Sequence, residues 1–527
     1  MTTQPPSRTV KLLLLTYIFL LTGCSKNLDI APAAEKIANQ PPVTSNAAAT
    51  SNYYNELIAG TTPKIADLTL FTNMLPKGGD LHHHYSGAIY AETYLDWLDK
   101  TQSCICSGNE CKSKTDPEPI PKFGIVKNPP SGTCISAQEL RTNKKYTAFY
   151  RDLLKRWSDK DFGNHVHEQN APDQQFFDTF AFFGPVSDYS YREGLQSLKE
   201  RAVAENVLYL ETMLKSAPTL ENPDLAKKLN ALNANSADRQ VEEALSLYFD
   251  FMAASADAKA AIDKYVGAHQ EAVAGIDGAG FKLRFQAYVS RNSSPAKVFS
   301  GLYSSFSAAK QNSLIVGVNM VGPENGYVAM RDYSLHMKML RFLRQRFPEV
   351  KLALHAGELV LGMVPPEGLK HHINEAVQVA GADRIGHGVD ITHESNAYEL
   401  LTAMKQRNAA VEINLSSNAF ILGVKDEVHP LQLYRQYAVP FVIATDDAGV
   451  SRNNLSHEYL LFASRYKPSY GELKTVVYNS IHHSFLNEDQ KREEFRELDR
   501  RFAAFEEKIS TMARSRKTYT AVAGPGI

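Results

Sequence analysis

From residue 78 onward the chain alternates short, largely apolar runs with longer stretches whose apolar residues recur at helical spacing. The short runs are "GGDLHHH" (78–84), "NVLYLETML" (206–214), "KLRFQAYVS" (282–290), "LIVGVNMVG" (314–322), "VKLALHAGE" (350–358), "RIGHGVD" (384–390), "AAVEINLSSN" (409–418) and "FVIATDDAG" (441–449). Between them lie amphipathic segments such as "YSLHMKMLRFLRQRF" (333–347) and "NAYELLTAMKQRN" (396–408). Strands alternating with helices in this way predict a parallel α/β architecture. The count of eight favours a closed (β/α)8 TIM barrel over an open, doubly wound sheet. No Gly-x-Gly-x-x-Gly or Walker loop follows any of the runs, which counts against a nucleotide-cofactor fold.

The unusual polar residues collect at one end of these strands. His82 and His84 close the first, His355 and Glu358 the fifth, and Asp446 and Asp447 the eighth, while His387 lies in the sixth. His82 and His84 alternate, so they project from one face of a strand, and His83 projects from the other. Such a pair is only half of a zinc site. By itself, His355 reads as a hydrogen-bonded core histidine and "TDD" as a helix N-cap. In a barrel, however, the C-terminal strand ends ring a single mouth. There His82, His84, His355 and Asp446 become three imidazoles and a carboxylate, a shell suited to one catalytic zinc. His371, His372, His482 and His483 fall in helical or loop contexts and read as solvated or structural.

Composition adds limits. The 527 residues are 43% hydrophobic and 22% charged with a net charge of -1, so the chain is globular and gives no reason to expect nucleic acid as a partner. Its N-terminus differs from the rest. Arg8 and Lys11 precede "LLLLTYIFLL" and then "LTGCS", the layout of a secretory signal. The "LTGC" ending resembles a bacterial lipobox, which implies lipidation at Cys24. A segment rich in Ala, Asn, Pro, Ser and Thr follows and reads as a tether.

The other four cysteines, Cys104, Cys106, Cys111 and Cys134, are clustered. An exported chain meets an oxidising compartment, so two disulfides are expected. Cys104 and Cys106 are too close to pair, which leaves each bonded to Cys111 or Cys134 in either order. The spacing lacks the paired pattern of a structural zinc site. The expected organisation is a signal peptide (1–23), a tether (24–55), a barrel (56–510) carrying a stapled insertion after the first strand (101–145), and a C-terminal tail (511–527).

"PKGGDLHHHYSGA", "LHAGE", "RIGHGVD" and "ATDDAG" resemble the ordered motifs of the adenosine deaminase family, over roughly residues 70 to 490. The export signal, the cysteine insertion, "ENVLYLETML" and "NSIHHSFL" are more similar to the secreted, growth-factor branch of that family. The resemblance implies one Zn2+ per chain on His82, His84, His355 and Asp446. It makes Glu358 the proton donor to purine N1 and His387 the group that orients and deprotonates the attacking water. Asp447 would bond N7 and the Gly322 amide N3, with Phe177, Asp178 and Phe180 of "QQFFDTFAFF" (174–183) lining the nucleoside pocket.

Many cytosolic members of the family place an aspartate, a ribose contact, where this chain has Ser86. The expected activity is deamination of adenosine and 2′-deoxyadenosine to inosine and ammonia. The alternatives are a metallohydrolase of another 6-substituted purine nucleoside and a catalytically silent nucleoside binder. The expected partner is a small purine nucleoside, with membrane contact only through a lipid anchor in the bacterial cell envelope, on the periplasmic or surface face of the outer membrane. A homodimer is left open.

Overall fold

Each of the eight apolar runs forms a strand. The computed structural model describes residues 45–107, 123–127, 134–160, 162 and 170–523. The barrel strands are β1 (Lys77–His84), β4 (Val207–Met213), β5 (Lys282–Ser290), β6 (Ile315–Val321), β7 (Lys351–Ala356), β8 (Arg384–His387), β9 (Ala410–Ile413) and β10 (Phe441–Ile443). Two short strands, β2 (Ser103–Ser107) and β3 (Phe123–Lys127), pair antiparallel outside the barrel.

The eight-stranded sheet runs in the order β1-β4-β5-β6-β7-β8-β9-β10, and its neighbours are parallel. Every residue of β4, β8, β9 and β10 is buried, as expected for strands covered on both faces. The ring is drawn together at the C-terminal ends of its first and last strands. His83 and Asp446 form a parallel bridge, and the Asp446 amide donates to His82 O at 2.9 Å. Nearby, the Asp80 carboxylate accepts from the Thr445 amide at 3.2 Å and the Thr445 hydroxyl at 2.5 Å.

Several expected strands are shorter than their apolar runs, β10 most of all, since it ends at Ile443. β8 stops at His387, which turns into the left-handed region with φ +68°. β9 stops at Ile413, and Leu415–Ile421 is helical. Two of the expected domain edges fall within helices. Residues 46–55, expected as tether, belong to the helix Asn46–Ile58, and the expected tail continues the helix Glu488–Ala523. The expected signal peptide and Cys24 lie outside the described residues.

The insertion is larger than its cysteine-rich part. Between β1 and β4 the chain builds the β2/β3 hairpin and the helices Ala91–Lys100, Ala137–Thr142, Thr147–Arg156, Pro172–Ser187 and Tyr191–Ala204. A disulfide joins Cys104 to Cys134, with Cα atoms 5.7 Å apart. The expected second bridge needs Cys111, which lies outside the described residues. Tyr94 stacks on Phe183 at 4.8 Å, so helix Ala91–Lys100 supports helix Pro172–Ser187. The latter is also tied to the loop after β6 by Asn325 Nδ2 donating to Asp173 Oδ2 at 3.0 Å.

Candidate active site

Ring closure brings the strand-end residues to one place. Ligating atoms of His82, His84, His355 and Asp446 lie within 4.8 Å of one another, and so do those of Glu358, His387 and Asp446. Asp446 Oδ1 is 3.3 Å from His82 Nε2 and 3.2 Å from His84 Nε2. His355 Nε2 is 3.2 Å from His84 Nε2. The expected ligand set and the two expected catalytic residues thus share one centre.

The wiring behind the imidazoles decides what they offer. Arg384, buried in the barrel interior, donates to Glu412 Oε1 and Glu211 Oε1, both at 2.5 Å. Glu412 Oε2 faces His82 Nδ1 at 2.7 Å, so this nitrogen carries the proton and Nε2 is bare. On the other side, Gln286 Nε2 donates to Glu211 Oε1 at 3.0 Å, and Asn319 Nδ2 donates to Gln286 Oε1 at 2.8 Å. Asn319 Oδ1 is then the acceptor for His355 Nδ1 at 2.9 Å, and His355 Nε2 is bare as well. Outer partners of this kind fix metal-binding histidines in the ligating tautomer.

His82 Nε2 is buried without a hydrogen-bond partner, as a nitrogen aimed at a metal would be. Burial opposes a charge on His82, but the facing carboxylates of Asp446 and Glu412 outweigh it and lift the group to about 10, so the centre favours positive charge at Nε2, which a bound cation would supply in place of a proton. Three bare or turnable imidazole nitrogens and a carboxylate oxygen suit a first-row divalent ion. Gly386 makes the approach possible, since a Cβ there would lie 2.8 Å from His82 Cε1.

Glu358 is positioned through its main chain. Gly357, at φ +78°, turns the strand end so that the amides of Gly357 and Glu358 both donate to Glu324, at 3.1 and 2.9 Å. Glu324 is further held by His372 Nδ1 at 2.6 Å and Arg291 Nη1 at 3.6 Å. Burial disfavours the Glu324 charge, but His372 and Arg291 hold its carboxyl down at about 2. Burial and the charges of Asp446 and Glu324 instead drive Glu358 well above the usual carboxyl range.

Because the folded value for Glu324 is depressed, its stabilisation is complete above the ordinary pKa of ~4.3 and is lost as pH falls towards about 2. Glu324→Gln is expected to lose ~1.5–3 kcal/mol of stability at pH 7. It should also show a flatter stability profile below pH ~4.3, as measured by urea unfolding. An unchanged midpoint at pH 7 would remove this anchoring role.

A cavity of about 330 Å³ opens over the centre. Its walls include Phe176, Phe177, Phe180, Met213, Tyr288, Gly322 and Ser86, with His84, His355, Glu358, His387, Asp446 and Asp447 at the chemical end. Phe177 and Phe180 are thus part of the cavity lining, whereas Asp178 is not. His83 faces away, bonded to Thr212 Oγ1 at 2.8 Å. Sequence reasoning missed Glu324, Asn319, Glu412 and Arg384. The readable signal for Glu412 was a lone carboxylate inside an apolar strand.

Residues 219–501 match the family model for adenosine deaminase. An adenosine deaminase of Clostridium perfringens is 29% identical over 179 residues, 34% of this chain and 48% of that protein. That of Escherichia coli is 28% identical over 179 residues, 34% of this chain and 49% of that protein. The chain spans about half the length of the curated relatives it matches. Among solved structures, the N6-mAMP deaminase of Arabidopsis shares the fold at 16% identity, with TM-score 0.50 over 82% of this chain and 99% of that one. His82 and His84 fall outside the matched residues, and the barrel's closure brings them to those within it.

Proposed function

The chain belongs to the adenosine deaminase family, and from that premise we propose that it is a zinc-dependent hydrolase converting adenosine, and 2′-deoxyadenosine, to inosine and ammonia. The observation that carries the reading is the meeting of His82, His84, His355 and Asp446 with Glu358 and His387 at one barrel mouth. Zinc on the first four, when bound, supplies a Lewis acid that makes water nucleophilic near neutral pH.

The other residues supply binding and proton handling. Glu358, neutral because it is buried beside two carboxylates, can give a proton to ring N1 as C6 is attacked. Asp447 is likewise driven well above the usual range by burial and by Asp446, so it can donate to the ring acceptor N7. Gly322 lines the cavity, and its amide is the proposed donor to N3. In balance, the C6–O bond forms and the C6–N bond breaks. The two protons of water end on N1 and on the departing ammonia.

No lysine or arginine is among the described residues lining the cavity, which supports an uncharged nucleoside over a nucleotide. Ser86, in that lining, cannot grip a 5′-hydroxyl as a carboxylate would. A hydrogen bond to a charged group is worth ~1.5–3 kcal/mol, or roughly ten- to hundred-fold in discrimination. In an ammonia-release assay, 5′-deoxyadenosine is therefore expected within about tenfold of adenosine in kcat/KM, and AMP about a hundredfold or more below both. A preference for AMP would refute the nucleoside reading. Exported, lipid-anchored placement is proposed on the Arg8–Cys24 pattern, and the Cys104–Cys134 bridge supports an oxidising compartment.

A further inference from the structure

His387 is wired in the opposite sense to His82 and His355. Leu431 N donates to His429 Nδ1 at 3.1 Å, so the proton of His429 sits on Nε2. That proton is donated to Asn418 Oδ1 at 3.2 Å, which fixes the orientation of the Asn418 amide. Asn418 Nδ2 then points at His387 Nδ1 at 3.0 Å, and Asn414 Nδ2 approaches the same nitrogen at 3.3 Å. A ring nitrogen facing two N–H donors accepts, so the proton of His387 is on Nε2.

Both relay residues are buried, Asn418 at 0% and His429 at 1% exposure, and neither lines the cavity. Burial, with Arg465 adding to it, pushes His429 down to about 3. His429 therefore stays neutral, and its Nδ1 stays an acceptor. His387 Nε2 lies 4.0 Å from Asp446 Oδ2, too far for a direct hydrogen bond, and the ring lines the cavity with its centroid 4.8 Å from that of His82 and 5.4 Å from that of His355.

We propose that His429 and Asn418 are positioning residues that lock His387 as the Nε2–H tautomer, so that His387 holds the attacking water by donating to its oxygen and does not take its proton. His387 thus keeps the orienting half of its expected role. The proton-accepting half passes to Glu358, which lines the same cavity and has a carboxylate oxygen within 4.8 Å of ligating atoms of His387 and Asp446. Glu358 gives its proton to N1 and, as a carboxylate, takes one from the attacking water. That proton restores Glu358, and the second proton of water leaves on ammonia. This proton path rests on the deaminase reading, whereas the tautomer does not.

The test begins with 15N-histidine-labelled, zinc-loaded protein, in which the ring nitrogens of His387 are identified by comparison with His387→Gln. The expected spectrum shows Nε2 protonated and Nδ1 bare. Asn418→Asp offers an acceptor instead of a donor and is expected to move the proton to Nδ1. It should lower kcat about a hundredfold or more at unchanged zinc content and with KM within about threefold. His429→Leu releases the amide and should lower kcat about tenfold, while His429→Gln, which keeps a donor towards Asn418, should restore it to within about threefold. A wild-type His387 protonated on Nδ1 overturns the proposal. So does an Asn418→Asp protein with unchanged tautomer and turnover, or a glutamine at 429 no better than leucine. If no nucleoside is turned over at all, the wild-type ring spectrum still decides the tautomer.

Discussion

Glu358→Gln is expected to lower kcat by ~10²–10⁴-fold, the usual contribution of a positioned acid–base group, while metal content and fold stay unchanged. The side chain that changes is isosteric. The main-chain amides of Gly357 and Glu358, which anchor the loop to Glu324, are retained. What is lost is the acidic proton, since a carboxamide cannot deliver the one that the proposed mechanism sends to N1. KM should move little, because the change falls on the transition state and not on the purine's resting contacts. Steady-state kinetics with metal analysis checks this. A fall in kcat of less than about tenfold would remove Glu358 from the donor role.

The second large effect is expected at the metal. His84→Ala should abolish stoichiometric zinc and activity together. His84 is the informative ligand to remove because His82 and His355 are held from behind by Glu412 and Asn319 and should keep their places. Loss of an outer hydrogen-bond partner alone typically costs ~10–100-fold in metal affinity, and loss of a ligand should exceed that. Metal analysis after gel filtration, with circular dichroism to confirm folding, decides it. A folded His84→Ala protein with one zinc per chain would strike His84 from the ligand set.

Much of this site can be read from the chain because a buried parallel strand tolerates few polar residues. When His355, Glu358, His387 or Asp446 interrupts an apolar run near its end, the interruption calls for an explanation. The supporting residues are harder to see. Glu412 and Arg384 are single charges within their own strands, and each makes sense only beside the other and beside Glu211. Their partners are set by barrel neighbours and interior packing, not by local sequence. Asn418 and His429 are harder still, because the run "AAVEINLSSN" suggested a strand through 418 where the chain turns into a helix after Ile413. The insertion shows the same limit. Its cysteines and prolines marked residues 101–145, but the Phe-bearing wall over the cavity, helix Pro172–Ser187, lies outside that range.

The junction of β1 with β10 has a consequence for how the protein comes into being. Asp80 and Thr445 are separated by 365 residues in sequence, and the histidines of the first strand share their centre with Asp446 of the last. A loop of that length costs ~5 kcal/mol of chain entropy to close, before any contact across the junction rewards it. A chain emerging from the ribosome therefore holds His82 and His84 for most of its synthesis with no carboxylate to complete them. Its unfinished sheet meanwhile has a parallel edge open to wrong partners. Assembly of the cluster of His82, His84, His355 and Asp446 is thus a late event, and its presence reports that both ends of the barrel have found each other.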